Sequence, residues 1–198
     1  MTTIAPSATA RVAGRSAEID NRGVYLSFGL AYVLGHGTSA LARGTDPLIA
    51  VPTWLSFGLL GAGFAAGTVF SIRAAAPSLR AADKSTALSG KLLGLSWISA
   101  FTALFLAITG LAAMVDMPDL QTRLWPAGSG LVVGLLYLGE GAVRRNLLHY
   151  CLGTWLALVS GLALFLETPG LFWLMTIAGG GGYAVATVLE HRRLRVTR

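Results

Sequence analysis

Charge is what this chain has least of. Only 12% of its 198 residues are charged, about half of the ~25% that soluble domains carry. With 54% hydrophobic residues and a mean hydropathy of +0.66, a water-soluble fold of this length could not hide its apolar surface. Cysteine is almost absent as well. The single Cys151 excludes an intrachain disulfide and any Cys-rich metal site. Set in an apolar run, it reads as a small buried hydrophobe. Catalytic signatures are missing: there is no GxxxxGK[ST], no HExxH, no GxSxG and no pair of aspartates within an apolar run. The expectation is a protein that is not an enzyme, has no ATPase site of its own and takes no cofactor. Residues 1–22 hold no apolar core of the kind a signal peptide needs, and they read as a flexible cytoplasmic tail.

What the chain has is uncharged length. Six stretches, 23–42, 47–72, 92–115, 124–143, 146–166 and 168–189, are free or nearly free of charge. A helix rising ~1.5 Å per residue needs about 20 residues to cross ~30 Å of hydrocarbon. Backbone amides in lipid must bond within their own segment, so such runs are helices. None of the six shows the polar face that a soluble helical bundle presents to water. The predicted fold is all-α: a polytopic membrane protein with six transmembrane helices over 23–190, then a basic tail at 191–198.

Orientation follows from the loops. Thirteen of the fifteen lysines and arginines fall in the N-terminal tail, the 73–91 loop, the pair Arg144–Arg145 and the C-terminal tail. The opposite loops carry Arg43 and Arg123 with Asp46, Asp116, Asp119 and Glu167. This asymmetry predicts both termini in the cytoplasm and a multi-pass protein of the cell (inner) membrane. It also accounts for the net charge of +6 without nucleic acid, because basic loops face the anionic inner leaflet. Trp54, Trp125 and Trp173 fall near outer ends, and Tyr25, Tyr137 and Tyr150 near inner ends, as an interfacial aromatic belt would. Tyr32, Trp155 and Tyr183 lie deeper and read as packing between helices. Pro118, Pro126 and Pro169 read as outer-loop or helix-start prolines.

Small residues recur every four positions: Gly63 and Gly67; Ser99, Ala103 and Ala107; Gly130 and Gly134; Gly153, Ala157 and Gly161. That spacing lines one helix face and lets backbones approach closely. The sixth run holds Gly179, Gly180, Gly181 and Gly182 in sequence. Each weakens a helix by ~1 kcal/mol relative to alanine. Two readings stay open: a close-packing surface, or a hinge that opens backbone carbonyls to a passing substrate.

Ionisable groups within the runs are few, and such groups are costly in a bilayer. Glu140 and Arg144 lie one turn apart and can pair, as a structural contact or as a gate. His149 lies ~5 Å from the predicted inner edge and His36 ~20 Å from it. A depth difference of ~15 Å argues against both binding one haem iron. His36 reads either as a neutral histidine bonded to a neighbouring helix or as a proton or ligand site. The candidate substrate-path or gating set is therefore His36, Gly179, Gly180, Gly181, Gly182, Glu140, Arg144 and His149, with no catalytic and no metal-binding residue.

The runs LWPAGSG (124–130), ETPGLFW (167–173) and AGGGGYA (178–184) resemble those of small six-span bacterial membrane proteins of unknown function, often described as permease-like. The resemblance implies a six-helix bundle and transfers no residue role. The resulting expectation is a small permease-like transport protein or transporter subunit. The alternative is a membrane accessory or scaffold protein. The expected partners are the lipid bilayer and either a second copy of the chain or an ATPase subunit, with no nucleic acid.

Overall fold

The structure, a computed structural model, describes residues 19–80, 82–117 and 119–196. Every regular element among them is helical. Helix α1 spans 22–42 in three consecutive parts: an α-helix at Arg22–Ala31, a π-helical turn at Tyr32–His36 and an α-helix at Gly37–Ala42. Then follow α2 (Thr53–Arg80), α3 (Lys84–Met114), α4 (Leu120–Val143) and α5 (Leu147–Ala163). Helix α6 repeats the plan of α1, with an α-helix at Gly170–Leu174, a π turn at Met175–Gly179 and an α-helix at Gly180–Val196.

Four helices are long and apolar enough to cross a membrane: α2, α3, α4 and the Gly170–Arg195 stretch of α6. Helix α5 is apolar but shorter, its 17 residues lying at the lower end of the roughly 17–25 that a crossing takes. Helix α1 has the length, but its polar residues, among them the buried Ser27, His36 and Ser39, lower its hydropathy. The protein is thus an all-helical protein carrying helices suited to a bilayer.

Helix ends depart from the uncharged runs, because charge marks the membrane edge and does not stop a helix. The expected 73–91 loop is mostly helix, since α2 continues to Arg80 and α3 begins at Lys84. Ala74, Ala75 and Ala76 are strong helix formers, and α2 also accommodates Pro77. Asp83 starts α3 by accepting a hydrogen bond from the Thr86 N–H at 2.9 Å, and Thr86 holds its carboxyl below the usual range. At the other end α2 starts late, at Thr53, because Pro52 pushes the chain before it into extended backbone. The basic segment after residue 190 continues as helix to Val196. Pro126 lies inside α4, which starts at Leu120. Most of the expected 1–22 tail, and Pro118, lie outside the described residues.

Helices α1, α4, α5 and α6 form the core. The most extensive contact joins α4 and α5, while α1 lies between α2 and α6. Helix α3 rests on α4, and α2 and α3 scarcely touch. Glycines set the close approaches. A side chain at Gly134 would collide with the backbone of Gly153 and Ala157, and one at Gly153 with the backbone of Gly134 and Leu138. On α2, a side chain at Gly63 or Gly67 would strike Ala31 or Phe28 of α1. The small face of α3 behaves differently: Ser99, Ala103 and Ala107 are exposed. Gly161 likewise faces open space, and Cys151, expected to be buried, is exposed on α5.

The aromatic belt expected at the inner side is also redistributed. Tyr150 is exposed, whereas Tyr25 and Tyr137 are buried in the core with Tyr32 and Tyr183. A tyrosine near a helix end in sequence can still point along the helix into the bundle, and both do so here.

Candidate functional site

The turn between α4 and α5 builds one end of the site. The Asn146 N–H reaches back to the Gly141 carbonyl at 2.8 Å and the Arg145 N–H to the Ala142 carbonyl at 3.3 Å. This is a Schellman closure, with Arg145 at φ +53° in the left-handed position that glycine usually fills. Asn146 then caps α5, its side chain accepting from the His149 N–H at 3.1 Å. So tight a link sets the first turn of α5 against the last turn of α4.

His149 consequently faces Glu140. The Arg144 Nε lies 2.8 Å from one carboxylate oxygen of Glu140, and His149 Nε2 lies 3.7 Å from the other. The second imidazole nitrogen, Nδ1, is hydrogen-bonded to the Tyr25 hydroxyl at 2.8 Å. The His149 ring also packs against Tyr137, with centroids 4.1 Å apart. Three of the expected residues, Glu140, Arg144 and His149, therefore form one cluster, and α1 adds Tyr25 to it.

A second carboxylate lies at this end of the bundle. Glu190 of α6 is fully buried. Its oxygens accept from Arg193 Nε and Nη2, both at 2.9 Å, and from the Asn21 N–H at 3.1 Å. Arg193 also donates to the Ile19 carbonyl at 3.2 Å. The start of α1 is thereby tied across the end of α6.

From His149 a continuous series of rings runs into the core. Tyr137 meets Tyr183 edge-on at 6.3 Å between centroids, Tyr183 meets Tyr32 at 5.2 Å, and Tyr32 meets His36 at 5.0 Å. Phe28 packs beside Tyr137 and Tyr183. Beyond His36 the series passes to Phe172 at 6.2 Å, over which the Arg43 guanidinium sits at 5.7 Å. The seam thus joins a charged cluster at one end of the bundle to an arginine at the other.

Within it, four buried side-chain atoms have no hydrogen-bond partner among the described residues: His149 Nε2, the hydroxyls of Tyr137 and Tyr183, and His36 Nδ1. The rings of Tyr137 and Tyr183 meet edge-on, and neither hydroxyl reaches a partner in hydrogen-bond geometry among the described residues. Each buried polar atom left unmade costs about 1–3 kcal/mol. Natural folds keep few of them. A fold that needed only packing would place phenylalanine or leucine at these positions.

The glycine run serves the deep half of the seam. A Cβ at Gly179 would strike the Tyr32 ring, one at Gly180 Val33, and one at Gly182 the Trp155 indole, while Gly181 faces open space. The Trp155 Nε1–H donates to the Ala178 carbonyl at 2.8 Å. Tyr32 therefore lies directly on the backbone of α6, beside the junction of its π turn with the α-helix that follows. The π turns of α1 and α6 touch each other, and each contributes to the seam: Tyr32 and His36 from one, Gly179 from the other. π turns within α-helices are rare and gather at functional sites.

Sequence reasoning did not single out Tyr25, Tyr32, Tyr137, Tyr183 or Glu190 as site residues. A signal was present. Tyr25 and Tyr32 are seven residues apart, as are Tyr183 and Glu190, a spacing that returns to nearly the same helix face.

No family model matches the chain, and no curated protein or solved structure is significantly similar to it.

Proposed function

We propose that this is a small permease-like transport protein of the cell membrane, its six helices crossing the bilayer with both termini in the cytoplasm. The path is the seam through α1, α4, α5 and α6. The observation that carries this reading is the series of buried, unpartnered polar atoms between the Glu140 cluster and His36. Polar atoms facing the interior of a bilayer-spanning bundle mark pathways, because nothing in the lipid rewards them. Glu140, Arg144 and His149 form the cytoplasmic gate. The paired π turns at Tyr32–His36 and Met175–Gly179 form the deep constriction.

The test uses thiol access. In a Cys151→Ser background, cysteine is placed at Ser160, which is buried against Met175 in the core, and separately at Leu158, which faces outward. A membrane-impermeant thiosulfonate should modify the Ser160→Cys protein at least tenfold faster than the Leu158→Cys protein. Equal, negligible rates would overturn a path open to solutes.

A specific observation favours the alternative, an accessory or scaffold role: the exposed small-residue face of α3, Ser99, Ala103 and Ala107, suits close contact with another helix. Native mass spectrometry from mild detergent separates the cases. Retention of a nucleotide-binding protein makes the chain a transporter subunit. A monomer or homodimer with a thiol-inert core and no ion or solute flux makes it an accessory protein.

A further inference from the structure

We infer that the species moving along the seam is the proton, passed between His149 and His36 by the hydroxyls of Tyr25, Tyr137, Tyr183 and Tyr32. This rests on the transport reading above and narrows it to one cargo.

The packing selects the proton. Tyr25, Tyr32, Tyr183 and Met175 are completely or almost completely out of solvent. Rings in mutual contact leave no standing channel for a solute. A hydroxyl or an imidazole moves a proton without moving itself, because it accepts on one side and releases from the other. Each station named in the seam is of that kind, and the buried Ser27, Ser39 and Ser160 beside it add further hydroxyls of the same chemistry.

The mouth is equipped to load it. Glu140 is partly exposed and reaches His149 Nε2 at 3.7 Å, while Nδ1 of the same ring bonds the Tyr25 hydroxyl. The charged and titratable groups facing His149 are Tyr25 from α1, Tyr137, Glu140 and Arg144 from α4, and Glu190 and Arg193 beyond Tyr25 from α6. In the transfer, Glu140 takes a proton from the cytoplasm and gives it to Nε2. The ring releases its Nδ1 proton to the Tyr25 oxygen as that hydroxyl passes on its own. Tyr137, Tyr183 and Tyr32 repeat the exchange, and His36 releases the proton towards the Ser39 hydroxyl and on to solvent at the far end of the bundle. Every group then holds its original proton count, and one positive charge has crossed. Rotation of the hydroxyls, together with return of each imidazole to its starting tautomer, resets the series.

The same account explains why the hydroxyls persist. Removing an unpartnered buried hydroxyl leaves ring packing intact and should not weaken the fold. A stability role and a relay role therefore predict opposite results for tyrosine-to-phenylalanine changes.

The full chain is reconstituted in liposomes containing a pH-sensitive dye, and a potassium gradient with valinomycin imposes a membrane potential. Wild type should admit protons at least tenfold faster than protein-free vesicles. Tyr183→Phe and Tyr137→Phe should each lower that flux at least tenfold, with unfolding temperatures in detergent equal to wild type or higher. Tyr150→Phe, the same chemical change at an exposed tyrosine of α5, should conduct as wild type. His149→Gln should abolish the flux. Flux no faster than empty vesicles, or wild-type flux in Tyr183→Phe, overturns the inference. Without flux, a reactive Ser160→Cys protein means that the seam carries another solute, and transport survives; an inert one removes both readings. Flux with an inert Ser160→Cys protein keeps the proton relay and removes the wider path.

Discussion

Glu190 and Arg193 sit one turn apart on α6, yet they are not equivalent. The glutamate is fully buried, while a third of the arginine side chain meets solvent. Truncating the arginine strands a buried carboxylate. Neutralising the glutamate leaves a cation that can turn to water. Arg193→Leu should therefore destabilise by about 3 kcal/mol, against about 1 kcal/mol for Glu190→Gln, which keeps an acceptor for the Asn21 N–H. Chemical unfolding in detergent measures both, and an equal loss would mean that the burial of Glu190 is immaterial. In the sequence, Glu190 is a boundary charge at the end of an apolar run, followed closely by arginines. What buries it is the start of α1, 169 residues away. The seven-residue spacing from Tyr183 puts Glu190 on one face of α6, but no local pattern carries its burial, so it reads in the sequence as an end marker. Glu140 was readable, because its partner Arg144 is one turn away and the pairing is local.

The helices themselves were legible, since lipid demands long apolar runs and the runs are unmistakable. Their ends were less so: the charges at Arg73 and Lys91 end the apolar surface but not the hydrogen bonding. The four-residue spacing of small residues was legible as a pattern, but which spacings would find a partner was not, because any small face permits contact and none requires it. Gly134 and Gly153 are pressed against each other's helices, while Gly161 meets nothing. Gly134→Leu should destabilise by roughly 3 kcal/mol or fail to assemble, since backbone cannot give way as side chains do. Gly161→Leu should stay within ~1 kcal/mol of wild type and within experimental spread in expression. Thermal unfolding followed by size-exclusion chromatography compares the two, and similar losses would contradict the helix contact described here.

For the whole molecule, membrane residence follows from composition, whereas the arrangement about the core does not. Helices α2 and α3 are the most apolar of the candidate spans and the least buried. Hydropathy cannot distinguish a helix that faces lipid from one that faces protein, because both environments accept leucine. Inside the bundle, the tyrosines gave a mixed signal: an interfacial belt and a buried seam use the same residue, and only packing separates Tyr150 from Tyr137. The proposed orientation is tested by labelling. With Cys151 replaced by serine, cysteine at position 119 should react from outside intact cells and cysteine at position 80 only after the membrane is opened. The reverse pattern would invert the molecule and move the Glu140 cluster to the outer surface.

The π turns of α1 and α6 resemble paired dislocations in two neighbouring lattices. Each holds one residue more than an α-helical turn, so the segments on either side are offset by about 100° from an unbroken α-helix. A dislocation fixes which planes meet on either side of it. Here the paired shifts set which faces of α1 and α6 meet in the core: Tyr32 lands on the bare backbone at Gly179, Val33 on Gly180, and His36 is turned away from solvent.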